Sequence, residues 1–496
     1  MGDLVFTVMK TLIICLILFV PTLAYSDQFY TLHGNIKELA SKKIELLDFY
    51  GKKNSVIDSC VADDKGIFKF RFDEESPIGL YRLRFAKGKF MDIVYNHEDI
   101  HFTLKPPDSK SGVYSLSNNL EILQSKENKL YYGFLKLLEH NQKKRTLLSQ
   151  LKALYIQDRD HSPGTSGSES FHKRIDKEIS NILEAQNSYV KQLINSKPQT
   201  FVAKIVKTLQ NPIPENGMTA EKRKIYIRDH FFDMVDFDEI SLLHSSVIPS
   251  KIWAYFNLYK NSTFSKEQQE EAFIKAVDVV MSEVEINDTM YNFVLDIITR
   301  RLEKSNYELT FTYITESYVL ADTCRNEDNE FAQMEFSDRA GELKDKIERI
   351  RKLAIGKTAP EIIINRLDGN HLKLSDIKSE CALVVFWASW CQHCSVMLPK
   401  LKGIYDEYRD KGLEIVAISI DKDKEAWQKA MANGNYSWIN HSELKGWDSR
   451  AAIDYNVWAT PKMYLLDKEK EIIAKPLTVD ELEEIVIPRL LSRGSS

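Results

Sequence analysis

The chain has 496 residues, with 72 acidic against 67 basic side chains and a formal charge of −5. That length asks for about three domains of ordinary size. The near-cancelled charge offers no positive field to a phosphate backbone, which excludes nucleic acid as an expected partner, and six cysteines are too few for a disulfide scaffold.

The chain opens on an apolar run, T-L-I-I-C-L-I-L-F-V-P-T-L, led by Lys10 and followed by A-Y-S at Ala24 to Ser26, the small-x-small form of a signal-peptidase site. Residues 1–26 are therefore expected to be a cleaved signal peptide, with a mature chain beginning near Asp27 in the periplasm or cell envelope. The run falls short of the about 20 apolar residues that cross a bilayer; an uncleaved anchor reaching back through Val5 to Met9 is the alternative. Asp3 is out of place in a positive leader, and a start at Met9 would give the more ordinary M-K-T-L-I-I-C. Export places thiols among oxidants rather than glutathione. With Cys15 removed, Cys60, Cys324, Cys381, Cys391 and Cys394 stay, and the first three read as inert, buried small hydrophobes.

From Phe29 to about Leu104 the pattern has period two: Phe68, Phe70 and Phe72 alternate with Lys69 and Arg71, and Tyr81, Leu83 and Phe85 with Arg82 and Arg84. Turn signals such as D-D-K-G at Asp63 to Gly66 and P-P-D-S at Pro106 bound short strands, so residues 27–110 are expected to form an antiparallel β-sandwich. Its aromatic stripe reads as core. From about Leu120 to Leu353 the period becomes helical, as in Leu130 to Leu151, Ile175 to Ile194 and Asp288 to Leu302, which predicts an all-α domain over 120–350. The loop H-S-P-G-T-S-G-S-E-S starts at His161, and N-P-I-P-E-N-G at Asn211 to Gly217 breaks any helix around it. His101, His140, His161, His172, His230 and His244 are scattered, not spaced as metal ligands from one another, and read as solvated or core histidines.

From Ile355 the grammar changes again. E-I-I-I-N-R-L-D-G-N-H-L-K-L suggests a hairpin turning at Asp368. It is followed by an apolar strand (Ala382 to Phe386), a helix (about Cys391 to Tyr408), a strand (Glu414 to Ile420) and a helix (about Lys424 to Asn433), an α/β layer with parallel pairing.

Between the first strand and helix lies W-A-S-W-C-Q-H-C-S-V-M-L-P, Trp387 to Pro399. A helix starting at Cys391 would hold its sulfur beside free backbone N–H groups at the positive helix end, where a thiolate is stabilised. Cys394, one turn on and on the same face, could then attack a mixed disulfide formed at Cys391. A c-type haem needs C-x-x-C-H, and the residue after Cys394 is Ser395. Structural zinc needs two further ligands at suitable spacing, and the chain has no second C-x-x-C. No metal or cofactor is expected; a permanently oxidised bridge stays open.

F-W-A-S-W-C-Q-H-C with Pro399, A-T-P at Ala459 to Pro461 ahead of M-Y-L-L-D, and the opening I-G-K-T-A-P-E-I resemble the thioredoxin superfamily, especially secreted thiol-disulfide oxidoreductases of Gram-negative envelopes. The resemblance spans roughly Leu353 to Pro488 and implies a thioredoxin fold over 353–490, making the whole a multi-domain chain. It implies Cys391 as the attacking and Cys394 as the resolving thiol, and Pro461 after a cis peptide, facing the sulfurs. The Thr460 backbone would offer short β-pairing to a bound polypeptide, and Trp390 would contact it. His393 is placed to tune the Cys391 pKa through its imidazole. The family's buried aspartate and its glutamate beyond the second cysteine are replaced by Val385 and Met397, which leaves water or His393 to accept the Cys394 proton.

These readings converge on an exported enzyme that reduces or isomerises protein disulfides. Its partners would be disulfide-containing envelope proteins and an upstream thiol reductant, with recruitment or homodimerisation assigned to the two accessory regions. The competing reading is an envelope binding protein on a thioredoxin scaffold with a static bridge. A peroxide-reducing relative fits less well, since no P-x-x-x-T-x-x-C leads to Cys391.

Overall fold

The computed structural model describes residues 29–86, 89–105, 119–157, 167–215, 217–321, 330–365 and 371–491. The expected signal peptide, Cys15, His161, Cys324, the P-P-D-S break and the turn at Asp368 lie outside them. The chain divides into two compact units, Met1–Ser262 with Asp278–Val294, and Thr263–Val277 with Leu295–Ser496.

In the first unit, strands β1 (Phe29–Ile36), β2 (Lys43–Asp48), β3 (Val56–Val61), β4 (Ile67–Asp73), β5 (Gly79–Ala86), β6 (Lys89–Tyr95), β7 (Ile100–Leu104) and β8 (Leu120–Gln124) form two four-stranded sheets. Their orders are β4-β1-β7-β8 and β3-β2-β5-β6, and their inner faces share one apolar core. The alternation in β4 does what its period predicts: Phe68, Phe70 and Phe72 are buried while Lys69 and Arg71 face out. Gly66 closes the D-D-K-G turn at φ +81, where an added Cβ would lie 2.2 Å from the Ile36 carbonyl oxygen.

Two features depart from the sequence reading. Strand β1 pairs with β7 in parallel, so the sandwich is not wholly antiparallel. Period two is the same in both pairings, which is why alternation did not distinguish them. Residues 120–124, read as the start of the helical region, instead form β8 at a sheet edge, where pairing on β7 alone leaves no fully buried face to mark it.

Helices follow: α1 (Lys126–Gln157), α2 (Gly167–Ser196), α3 (Phe201–Thr208), α4 (Ala220–Asp229), α5 (Val247–Asn257), α6 (Lys266–Val284), α7 (Asp288–Glu303), α8 (Glu308–Ile314) and α9 (Glu330–Lys352). The three segments expected from periodicity fall inside α1, α2 and α7. Cys60 is half-buried rather than buried; Cys381 is buried as expected.

The junction between sheet and helices is polar and satisfied. Asn128 holds the edge strand β6 as another strand would, accepting from Val94 N at 2.9 Å and donating to Val94 O at 2.7 Å. The buried Glu127 carboxylate accepts from the first backbone amides of α3, Phe201 N at 2.8 Å and Val202 N at 3.0 Å, and from Asn96 Nδ2 at 2.5 Å.

In the second unit, β9 (Ile363–Asn365) and β10 (His371–Lys373) form the expected hairpin. Then come β11 (Cys381–Trp387), α10 (Gln392–Tyr408), β12 (Leu413–Ser419), α11 (Lys424–Gly434), β13 (Ile439–Ser442), α12 (Arg450–Asp454), β14 (Lys462–Asp467), β15 (Ile472–Ala474) and α13 (Val479–Leu491). The sheet order is β13-β12-β11-β14-β15, with β11, β12 and β13 parallel and β14 and β15 antiparallel to their neighbours. Every residue of β11 is buried, as a central strand covered on both faces requires.

Glu127→Ala should leave two buried amides and Asn96 without an acceptor, lowering stability by about 3 kcal/mol. Urea titration followed by far-UV signal checks this; an unshifted midpoint would show that the carboxylate does not hold the α3 terminus.

Candidate active site

Strand β11 ends at Trp387, and α10 begins five residues later, so the chain must turn within Ala388 to Cys391. Cys391 is the N-cap of α10 (φ −85, ψ 111), its sulfur accepting from Cys394 N at 3.3 Å. Its own N–H donates to Ala388 O at 3.2 Å. The cap thereby fills one of the orphan donors of the first helical turn with sulfur instead of the usual oxygen.

The two thiols differ in environment. Cys391 is 7 % exposed and Cys394 0 %. Burial by itself would push the Cys391 thiol up, but hydrogen bonds from the Cys394 thiol, the Thr460 side chain and the backbone N–H groups of Cys394 and His393 outweigh it and hold the thiol below its usual range. The deeper Cys394 is pushed up to about 12, chiefly by burial and then by its bond to Cys391 and that neighbour's charge, against the lowering pull of the Ala388 N–H.

Thr460 O lies 3.4 Å from Cys391 Sγ, and the Thr460–Pro461 peptide is cis. The loop ahead of β14 thus comes to the sulfurs beside the start of α10. Trp390 is 61 % exposed and meets Trp447 edge-on, ring centroids 6.3 Å apart. His393 is exposed, and its contribution to Cys391 comes from its backbone N–H. Val385 and Met397 are both buried, so the positions of the family's two carboxylates are apolar.

Sequence reasoning missed Asp421. It is 1 % exposed and accepts from Ser389 N at 2.9 Å, Ser389 Oγ at 2.6 Å and Ser419 Oγ at 2.7 Å. Ser389 is two residues ahead of Cys391, so this carboxylate ties the turn before the cysteine to the end of β12. The signal available was an aspartate just past an apolar parallel strand, at the carboxyl edge where α/β sheets build their sites.

A dithiol at the start of the helix that follows the central strand, faced by a cis-proline loop on a mixed sheet, defines a thioredoxin-like oxidoreductase domain. The comparisons agree. Residues 355–475 match the AhpC/TSA family, and residues 30–131 match a domain of unknown function, DUF4369. Thiol-disulfide oxidoreductase ResA of Bacillus thuringiensis subsp. konkukian is 30% identical over 144 residues, 27% of this chain and 77% of that protein. ResA of Bacillus cereus is 28% identical over 142 residues, covering 27% of this chain and 76% of the relative. The thioredoxin domain of a thiol-disulfide oxidoreductase from Bacteroides vulgatus is 33% identical, with 28% of this chain and 99% of that one covered and a TM-score of 0.27. The chain belongs, through its C-terminal domain, to the thioredoxin-like thiol-disulfide oxidoreductases.

The environment sets the pH behaviour. Iodoacetamide should alkylate Cys391 first, with a rate midpoint below that of a free thiol at about 8.5, and leave Cys394 unmodified at neutral pH. A shared midpoint for both sulfurs would contradict the split. Asp421→Ala should cost about 3 kcal/mol in urea and slow exchange with a small disulfide about tenfold or more, because the turn carrying Cys391 loses its anchor. Parental stability and rate together would exclude Asp421 from supporting the site.

Proposed function

We propose that this oxidoreductase reduces or isomerises disulfides of exported proteins through its Cys-Gln-His-Cys pair, Cys391 attacking and Cys394 resolving. The observation that carries the reading is the inequality of the two thiols: the helix-capping one is eased toward thiolate and the buried one is held protonated. The Cys391 thiolate attacks one sulfur of the client disulfide, the client S–S bond breaks, and the other client sulfur leaves as thiolate and is protonated. The mixed disulfide that forms removes the charge on Cys391 and its hydrogen bond to Cys394, two of the three influences that raise the Cys394 pKa. Cys394 then gives up its proton to water more readily than in the resting dithiol and attacks Cys391 Sγ. The second client thiol is released, two electrons pass to the client, and an upstream thiol reductant restores the dithiol.

The client segment carrying the attacked sulfur pairs with the Thr460 backbone beside Pro461 and lies against Trp390, whose exposed ring supports a contact role. The exposed His393 ring is a weaker tuning group than the sequence suggested, acting on the pair only when charged. Delivery to the periplasm or cell envelope follows from the apolar leader over 1–26, and the accessory regions, boundaries near 27–110 and 120–350, would serve client recruitment or homodimerisation.

Reduction of insulin driven by dithiothreitol should vanish in Cys391→Ser, and Cys394→Ala should accumulate mixed disulfides identifiable by mass spectrometry. Full insulin reduction by Cys391→Ser, or trapping through Cys60 instead, would refute the assignment.

A further inference from the structure

Glu308, the first residue of α8, lies far ahead of the redox motif in the chain, yet its carboxylate reaches the strand that follows Pro461. Its side chain is 14 % exposed. One oxygen lies 3.4 Å from Lys462 Nζ and the other 2.6 Å from Lys475 Nζ. Lys462 opens β14 directly after Pro461, and Lys475 follows β15, so one carboxylate spans the starts and ends of two adjacent strands. Among the described residues Lys462 Nζ has one further oxygen partner, Asn456 O at 3.0 Å. Lys266 of α6 also faces Glu308, and is itself 4.0 Å from Glu270.

Close packing does not fix this corner. A cavity of about 80 Å³ is lined by Glu308, Trp458, Ala459, Pro461, Lys462 and Met463 among others. Burial pushes the Lys462 amine down to about 8, so the ammonium form depends on its counter-charge. Glu308 stays ionised against burial because Lys462 and Lys475 hold its carboxyl below the usual range.

We propose that Glu308 is a positioning residue for the substrate-pairing loop Ala459 to Lys462, acting through Lys462. This rests on the reading of Thr460 as the residue that pairs with a bound polypeptide. A residue of the helical region thereby sets the register of a surface built by the thioredoxin domain. Without Glu308, Lys462 would be left buried with one carbonyl and the Tyr464 ring 5.5 Å away, and its escape toward water would carry Pro461 and Thr460 with it. Polypeptide clients, which need the loop, would bind less well; a small disulfide, which needs only Cys391, would not.

The test uses the full chain, with insulin and a small aromatic disulfide as substrates. Glu308→Gln is expected to raise KM for insulin about tenfold with kcat changed less than about twofold, and to leave turnover of the small disulfide at the parental rate. Glu308→Asp should restore most of the loss. Amide hydrogen exchange over 456–463 should quicken in Glu308→Gln and not in Glu308→Asp. Lys462→Met should raise the insulin KM similarly, and the double variant should bind insulin no worse than either single one, since each removes the Glu308–Lys462 pair through which the loop is held. An unchanged insulin KM in both single variants, additive losses in the double variant, or equal loss on both substrates would overturn the proposal. Hydrogen exchange needs no turnover, so a failure of the disulfide-reducing reading itself, seen as no parental activity on either substrate, is distinguishable from a failure of the loop proposal.

Discussion

The sulfur of Cys391 serves as a helix cap, and the chemistry of the pair follows from that placement. A helix start leaves backbone N–H groups without partners and concentrates positive partial charge there. A neutral thiol is a poor acceptor in this position and a thiolate a good one, so the folded backbone itself favours ionisation of Cys391. Cys394, inside the same turn and fully buried, meets the opposite condition: burial that disfavours charge, and a neighbouring sulfur that carries the charge first. One helix terminus therefore gives two identical side chains different work. The arrangement needs β11 to stop and α10 to start within a short turn, and a central strand buried on both faces is a rigid place from which to launch it.

Carboxylates at element junctions recur as anchors in both units. Asp421 joins the turn before Cys391 to the neighbouring parallel strand with three hydrogen bonds. Glu127 does comparable work in the first unit, closing the N-terminus of α3, and Glu98 accepts from Ser125 Oγ, Lys126 N and Glu127 N at the start of α1. In each case an acid is placed where several amides or hydroxyls converge, so the desolvation of the charge is offset by the donors it satisfies. None of these acids lies in a sequence motif, and each fixes where an element begins.

What could be read from the sequence depended on how local the cause was. The strand–cysteine–helix order from Ala382 to Tyr408 was legible because hydrophobic run, cap and helical period all lie within a few turns of chain. The long helices α1 and α2 were legible for the same reason. The parallel pairing of β1 with β7 was not, because side-chain alternation records which residues face inward and says nothing about the direction of the partner. Strand β8 escaped because an edge strand with exposed positions carries no full apolar stripe. Ser389 and Asp421 are separated by 32 residues and Glu308 and Lys462 by 154, so no spacing rule links them. The cysteines declared themselves; their supports did not.

The same geometry bears on the direction of electron flow. Ionisation at Cys391 stabilises the dithiol and so moves the couple toward oxidising behaviour. Yet each unit by which a thiol pKa falls is worth only about 1.4 kcal/mol, or about 30 mV for a two-electron couple. Roughly 150 mV separates thioredoxin from the strongest periplasmic oxidant. Further stabilisation would have to come from groups that favour a second charge, and Cys394 is held protonated by burial. It would otherwise come from a cation held against the thiolate, and the His393 ring is exposed to screening solvent while its backbone N–H makes the contact. What this helix start supplies is one thiol eased toward thiolate and one held protonated, the inequality that stepwise thiol-disulfide exchange uses.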